Sequence, residues 1–249
     1  MADISVKVLS IPNGNRREVF ERQCGFDFDF FDAILPGDRA LEFDAPRAEI
    51  LYGRKVREVE QACASSHRKL IDSLSSSEDE WLIVLEDDAI VEPEFYELVL
   101  GLPCEELVEP TVLILGHCKT VKKNLWWQRL KQPEGERTIF CGLDFSRKYF
   151  INFFGTVGYA INKSAADLIS SMPPNFWIAD DWERYENIGI AILHACRPIV
   201  WENRTYDSGT GGPNQTLHRL FSKDFVRELL TMIRARLRQK PVFRRRNIS

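Results

Sequence analysis

The sequence lacks any long apolar run, and this absence excludes one broad class of protein. None of its hydrophobic stretches approaches the roughly 18–20 residues that a transmembrane helix needs. The first residues, MADISVKVLSI, also lack the basic segment followed by an apolar core that is typical of a secretory signal peptide. We therefore expect a protein that works in the cytoplasm.

Closely spaced cysteine pairs are also missing. The six cysteines are scattered over the chain and form no C-x-x-C motif. This usage is typical of reduced, mostly buried thiols rather than of a disulfide framework or a structural zinc site. Internal repeats and low-complexity segments are absent as well, so the 249 residues predict one large domain with or without an appendage.

Positive charge is scarce until the end of the chain. Residues 219–249 carry ten Lys or Arg and two acids, although the net charge of the whole chain is −4. The first 218 residues are therefore strongly acidic, and we predict a globular domain over residues 1–218 and a basic tail over residues 219–249. Residues 222–240 predict an amphipathic helix, which would either bind the anionic cytoplasmic face of a membrane or pack on the domain. The tail has no recognisable nucleic-acid-binding motif, so we expect no nucleic acid partner.

The stretch from Trp81 to Phe95, WLIVLEDDAIVEPEF, is the most informative part of the sequence. Its first five residues are apolar and predict a strand that is buried on both faces of a sheet. Glu86, Asp87 and Asp88 follow at the C-terminal end of that strand, where open α/β sheets bind ligands. A divalent cation with oxygen ligands would hold three such charges together. The alternative is a solvated turn, which the return of apolar residues directly after the acids disfavours.

The N-terminal segments predict a strand, a turn and a short helix. Arg16 and Arg17 fall in the first turn of that helix, where cations oppose the helix dipole. They need an anion or an acid nearby, or else they are solvated, and the residues alone favour solvation. Residues 26–34 predict a second strand, and residues 36–55 predict a surface loop.

Residues 56–74 predict a helix on which Glu60, Cys63 and His67 share one face. A Cys–His pair at this spacing could bind a metal, but two ligands do not make a site. The favoured interpretation of His67 is a buried, hydrogen-bonded histidine that packs under the acidic strand.

The second half of the chain contains two further strands and a second acidic pair. Residues 111–116 predict a buried strand and residues 153–161 a further strand, whereas residues 117–150 predict a long irregular segment. Asp180 and Asp181 lie among aromatic residues, and a carboxylate beside a like charge and partly desolvated is suited to act as a general base. A cation that neutralises a diphosphate together with a base that deprotonates a hydroxyl is equipment for transfer from a nucleotide-activated donor. The residues alone do not separate sugar transfer from nucleotidyl transfer.

Six short motifs occur in order over most of residues 5–205: Arg16-Arg17 after the first strand, Phe31-Asp32-Ala33, EQACASSH at residues 60–67, LEDDA at residues 85–89, GTVGYAI at residues 155–161 with Lys163 and Ala165, and Asp180-Asp181. Their order and spacing resemble glycosyltransferase family 25, the bacterial lipopolysaccharide and lipooligosaccharide sugar transferases, which are related to collagen galactosyltransferases. The resemblance implies an α/β fold of the GT-A type, a Rossmann-like mixed sheet flanked by helices.

The resemblance also implies roles for single residues. Glu86 and Asp88 would be the E-x-D pair that binds Mn²⁺ or Mg²⁺, and Glu86 would alternatively contact the ribose. Asp87 would turn to a neighbouring backbone or side chain, and it is a further candidate for the nucleotide site. Asp181 or Asp180 would be the base of an inverting transfer.

The nucleotide would lie near the N-terminal segment, at Ser10, Ile11 and Arg17. His67 belongs to a motif of the family, which suits either a structural or a donor-site role. The leading hypothesis is a metal-dependent transferase that moves a hexose, with galactose the first choice, from a UDP-sugar to a cell-envelope saccharide or a lipid-linked saccharide. The alternatives are a nucleotidyltransferase on a similar fold and a non-catalytic binding module that uses the basic tail.

Overall fold

The computed structural model describes residues 4–102, 107–118, 122, 125–126, 134–148, 155–203 and 205. The chain divides into two units, residues 1–206 and residues 207–249, and every described residue lies in the first of them. The predicted domain boundary at residue 218 and the predicted helix at residues 222–240 lie outside the described residues. Within the described ranges, no helix combines the length and the apolar character needed to cross a bilayer.

Helices and strands are interspersed along the described chain. The helices are α1 Arg16–Gln23, α2 Ala45–Tyr52, α3 Glu58–Ser75, α4 Glu94–Gly101, α5 Lys163–Ser170 and α6 Trp182–Asn187. The strands are β1 Ile4–Ser10, β2 Asp29–Asp32, β3 Trp81–Glu86, β4 Ala89–Val91, β5 Thr111–Ile114, β6 Glu134–Phe140, β7 Leu143–Lys148, β8 Gly158–Asn162, β9 Ala191–Ala195 and β10 Val200–Glu202.

Eight of these strands form one mixed sheet in the order β2-β1-β3-β8-β5-β9-β7-β6. Strand β1 runs parallel to both β2 and β3, and β5 runs parallel to β9. Strand β8 lies between β3 and β5 and is antiparallel to both. The prediction of an α/β fold with a mixed sheet flanked by helices is therefore confirmed.

Strand β3 is central because its sequence suits burial on both faces. Its five apolar residues are at most 2% exposed. Ile83 and Leu85 pack in a core cluster with Phe20 of α1 and Phe95 of α4. Leu82 and Val84 pack in a second cluster, on the opposite face, with residues of α3, α5 and α6. Since side chains alternate along a strand, Glu86 follows Leu82 and Val84 and points to the side of α3.

The acidic cluster lies at the edge of the sheet where parallel strands β1, β2 and β3 end. The antiparallel strand β8 begins at that same edge, so residues 155–157 also lie there. The two-stranded sheet of β4 and β10 joins this edge through a bridge between Gly116 and Val200. Only glycine fits this bridge, because a Cβ atom on Gly116 would lie 2.1 Å from the carbonyl oxygen of Val200.

Two predicted irregular segments contain regular structure. Residues 36–55, predicted to be a surface loop, contain α2, which begins after Asp44 as N-cap and ends at Gly53 in the left-handed conformation. Residues 117–150, predicted to be irregular, contain the hairpin of β6 and β7. The hairpin escaped prediction because β6 is an edge strand that is mostly exposed and therefore lacks alternating apolar residues.

Candidate active site

Glu86 closes strand β3 and is the innermost acid of the cluster. Its carboxylate accepts a hydrogen bond from the hydroxyl group of Thr156. Burial raises the pKa of the Glu86 carboxyl above its usual range, and the nearby charge of Asp88 raises it further. Thr156 partly offsets this effect because its hydrogen bond stabilises the ionised form. The site thus contains a carboxylate whose charge is incompletely compensated by the protein.

Asp88 lies beside the positively charged side chain of Arg16. The Arg16 guanidinium is 3.6 Å from one oxygen of Asp88 and 3.3 Å from one oxygen of Asp87. Arg16 lowers the pKa of Asp88, but burial and the charge of Glu202 outweigh it and raise that pKa overall. The second oxygen of Asp88, Oδ1, is buried and has no hydrogen-bond partner among the described residues. One acceptor at the site therefore remains available to a positively charged or hydrogen-bonding ligand.

Asp87 joins the end of β3 to β1. Its Oδ2 accepts a hydrogen bond of 2.7 Å from the Ser10 hydroxyl group, and its backbone N–H donates to the carbonyl group of Leu9. Ser10 is 2% exposed, so its hydroxyl group serves this contact rather than an open pocket. Ile11, the next residue, has a side chain that is 55% exposed at the same edge.

The two N-terminal arginines are paired with acids, so the interpretation of them as solvated residues is wrong. Arg16 contacts Asp87 and Asp88, as described above. Arg17 donates hydrogen bonds to the Asp32 carboxylate and to the Ser10 carbonyl oxygen. Its guanidinium also lies 4.8 Å from the centroid of the Phe30 ring. Arg17 therefore fastens α1 to the end of β2, beside the acidic cluster rather than within it.

Asp180 and Asp181 are adjacent in sequence but face different groups. The charge of Asp180 contributes to the raised pKa of Glu86 and of the Cys63 thiol, so Asp180 is within electrostatic range of the acidic cluster. Asp181 accepts a hydrogen bond of 2.7 Å from the Tyr52 hydroxyl group. It also lies 3.5 Å from the Arg184 guanidinium. The charge of Asp180 thus reaches the first acidic cluster, whereas Asp181 contacts Tyr52 and Arg184.

His67 lies in the core and does not reach the open side of the acidic cluster. Its ring is 2% exposed, and Nδ1 lies 3.0 Å from the hydroxyl oxygen of Tyr159 on β8. The charges of Glu86 and Asp180 act on the Cys63 thiol, whereas His67 lies one helical turn further along α3. The placement agrees with the buried, hydrogen-bonded role that the sequence favoured.

Replacing His67 with glutamine is expected to flatten the pH dependence of stability without affecting donor binding. Burial lowers the pKa of His67 to about 4. Between about pH 6.5 and 4, this histidine is therefore protonated in the unfolded chain but neutral in the folded chain. Wild-type stability therefore falls as the pH decreases through this range, by up to about 3 kcal/mol from this group. Urea unfolding at several pH values measures the effect.

The comparison of His67→Gln with the wild type also controls for the other buried histidines. His117 and His194 have lowered pKa values as well, and both proteins contain them. The His67→Gln curve should approach the wild-type curve at low pH. Parallel curves would contradict the assignment of His67 to the core, as would a large change in the Michaelis constant for a donor.

Three residues of the site were not identified from the sequence as site residues. Thr156 was part of a recognised motif, but nothing assigned its hydroxyl group to Glu86. Glu202 ends β10 and raises the pKa of both Glu86 and Asp88 through its charge. Tyr52 lies in the segment predicted to be a loop. Glu202 and Tyr52 are brought to the site only by tertiary structure, and no local pattern marks them.

The residues present fit a divalent cation that a substrate helps to hold. Among residues 4–102, 107–118, 134–148 and 155–203, no group of three or more His, Cys, Asp and Glu side chains is arranged as a complete metal site. However, Mg²⁺ commonly uses one or two carboxylates and completes its shell with water and substrate phosphates, and Mn²⁺ suits the same ligands. Glu86 and Asp88 would supply those carboxylates, and the unpartnered Oδ1 of Asp88 is the observation in favour.

Comparisons with known proteins identify the family of the chain. A solved structure described as a glycosyltransferase involved in the glycosylation of the major capsid of PBCV-1 is similar over 76% of this chain and 80% of that chain, at 13% sequence identity and a TM-score of 0.32. That similarity is too low to carry an argument. No significant match to a curated protein was found. Residues 5–181 match the sequence model of glycosyltransferase family 25, described as an LPS biosynthesis protein. Since this match covers most of the chain, the protein belongs to glycosyltransferase family 25.

Proposed function

We propose that the protein transfers a hexose from a UDP-sugar to a saccharide of the bacterial cell envelope. Membership of the family makes the protein a glycosyltransferase of LPS biosynthesis. UDP as the carrier, galactose as the hexose, an inverting course and dependence on Mn²⁺ or Mg²⁺ are parts of the proposal. So is an acceptor that is carried on a lipid, which the basic tail would help to reach at the inner face of the cytoplasmic membrane.

The observation that carries the proposal is that Glu86 and Asp88 are neighbouring carboxyls with raised pKa values. Both lie at the carboxyl edge of the sheet, and burial together with neighbouring charge raises the pKa of each. Carboxyls in this state are stabilised by a cation, and a diphosphate leaving group needs the same cation to neutralise its charge. Arg16, at 3.3 and 3.6 Å from Asp87 and Asp88, supplies one positive charge at this place.

Sugar transfer requires one bond to form and one to break at the anomeric carbon. The acceptor oxygen forms the new bond, and the bond from the anomeric carbon to the phosphate oxygen breaks, so that UDP leaves with the electron pair. Asp180 accepts the proton of the acceptor hydroxyl group as that oxygen attacks. Glu86 and Asp88 would hold a divalent cation, which would supply positive charge to stabilise the departing diphosphate. Arg16 keeps Asp87 and Asp88 in place.

A thermal-shift screen of nucleotide sugars tests the donor. UDP-galactose at about 100 times its dissociation constant, with Mn²⁺, stabilises the folded state by about 2.7 kcal/mol, which is on the order of 5 °C for a domain of this size. We expect this shift with UDP-sugars and not with ADP-sugars, and we expect a chelator to abolish it. Asp88→Asn should abolish it as well. Stabilisation that survives both the chelator and this substitution would contradict the cation site.

Product analysis separates the proposal from the two alternatives. Incubation of the donor with an acceptor saccharide should release UDP. Release of pyrophosphate from a nucleoside triphosphate would instead indicate a nucleotidyltransferase, and binding without turnover would indicate a non-catalytic module.

A further inference from the structure

Residues 36–55 form a strap that contacts the segment just before the acidic pair. The backbone N–H of Asp44 donates to the carbonyl oxygen of Asn175, at 2.9 Å. The Arg47 guanidinium lies 3.7 Å from the centroid of the Phe176 ring. Helix α2 then carries Tyr52 at its last position, directly before the left-handed Gly53. The strap is thus fixed at the start of its helix, and Tyr52 stands at the other end.

The hydroxyl group of Tyr52 makes two hydrogen bonds to the segment of the acidic pair. It donates to Oδ2 of Asp181 at 2.7 Å and accepts from the backbone N–H of Ile178 at 3.1 Å. The same segment is closed by a hydrogen bond from the Asp181 N–H to the Ile178 carbonyl oxygen. One hydroxyl group therefore fixes both ends of the turn that contains Asp180.

The other side of the segment is tied to the first acidic cluster. The indole N–H of Trp182 donates to the carbonyl oxygen of Gly155, at 3.2 Å. The next residue, Thr156, donates to Glu86. Trp182 and Tyr52 consequently hold the turn between the strap and the end of the sheet, and the charge of Asp180 in this turn reaches Glu86.

We propose that Tyr52 is a positioning residue for the acidic pair, and that it acts by anchoring Asp181 so that Asp180 faces the acceptor. This inference rests on the proposed role of Asp180 as the base. Tyr52 itself touches Asp181 and the backbone, and no contact of Tyr52 with Asp180 is required. A base that is displaced by as little as about 1 Å loses much of its effect, since general-base catalysis depends on hydrogen-bond reach to the attacking hydroxyl group.

The test is Tyr52→Phe, which removes the hydroxyl group and keeps the ring in its place against the core. We expect kcat for transfer to fall about 10–100-fold while the Michaelis constant for the donor stays within about twofold, as for the loss of precise positioning. Hydrogen exchange at the Ile178 amide should become at least about tenfold faster, because its acceptor is gone. Tyr96→Phe is the matched control, since the Tyr96 hydroxyl group contacts only the Gly25 N–H at 3.4 Å among the described residues.

A double-substitution cycle separates positioning from a general structural effect. Tyr52→Phe and Asp181→Ala each remove the same contact, so their combined effect on kcat should be close to the larger single effect. Additive effects, or a Tyr52→Phe variant with wild-type kcat and wild-type exchange at Ile178, would overturn the inference. Full turnover by Asp180→Asn, together with faster hydrogen exchange at the Ile178 amide in Tyr52→Phe, would give a split result. The proposed base would then be wrong, but the anchoring contact of Tyr52 would be supported.

Discussion

Replacing Asp88 with asparagine is expected to lower kcat for sugar transfer by about 10²–10³-fold, the cost of removing one electrostatic contact that stabilises a developing charge. The substitution keeps the shape of the side chain and removes the charge that would hold a divalent cation. Burial and the charge of Glu202 raise the pKa of Asp88, so the folded protein already penalises its ionised form. Asparagine should therefore fold at least nearly as well as aspartate, with a melting temperature close to that of the wild type.

The matched control is Asp144→Asn, the same chemical change at an exposed position of β7. Initial rates over a range of donor and Mn²⁺ concentrations, with circular dichroism for folding, measure the effect. Near wild-type turnover by Asp88→Asn in the presence of a chelator would remove the cation from the proposal. Inactivity that comes with loss of folding would instead show that Asp88 is needed for structure.

Replacing Asp180 with asparagine is expected to lower kcat by about 10²–10⁴-fold, the usual contribution of a general base. The charge of Asp180 acts on Glu86 and Cys63, whereas Asp181 is held by Tyr52 and lies near Arg184. The Michaelis constant for the donor should change little, because the acceptor proton and not the donor is the target of Asp180.

The neighbouring residue supplies the control for this prediction. Asp181→Asn is the same change one residue further along, and an asparagine there can still accept the hydrogen bond from Tyr52. We expect it to cost about tenfold or less in kcat, since it perturbs orientation and leaves the base in place. A larger loss of kcat with Asp181→Asn than with Asp180→Asn would indicate that Asp181 is the base and that Asp180 has the positioning role.

The central strand and the acidic cluster were predictable because their signals are local. An uninterrupted apolar run and the acids that follow it fix both the burial of β3 and the edge at which Glu86 and Asp88 emerge. The sequence could not separate Asp180 from Asp181, because the partner of Asp181 is Tyr52, 129 residues away. Arg16 was misjudged for the same reason, since Asp87 lies 71 residues further along the chain.

The missed elements have a related cause. Helix α2 has eight residues, and its clearest signals are the N-cap Asp44 and the proline that follows, which turns also contain. The β6–β7 hairpin turns at Cys141 and Gly142, both with positive φ, and cysteine is an unusual residue for the first of these positions. Neither segment has the periodic burial that makes α3 and β3 recognisable.

The antiparallel strand β8 also determines when the central part of the sheet can be completed. It fills the gap between β3 and β5, yet it follows both of them in the chain. During synthesis, therefore, β3 and β5 are apolar strands that each have at least one unpaired edge until residues 158–162 have left the ribosome. Edges of this kind pair readily with other chains. A chain that stops short of β8 is for this reason a candidate for aggregation and for chaperone binding, even though all three acids of the first cluster have been made.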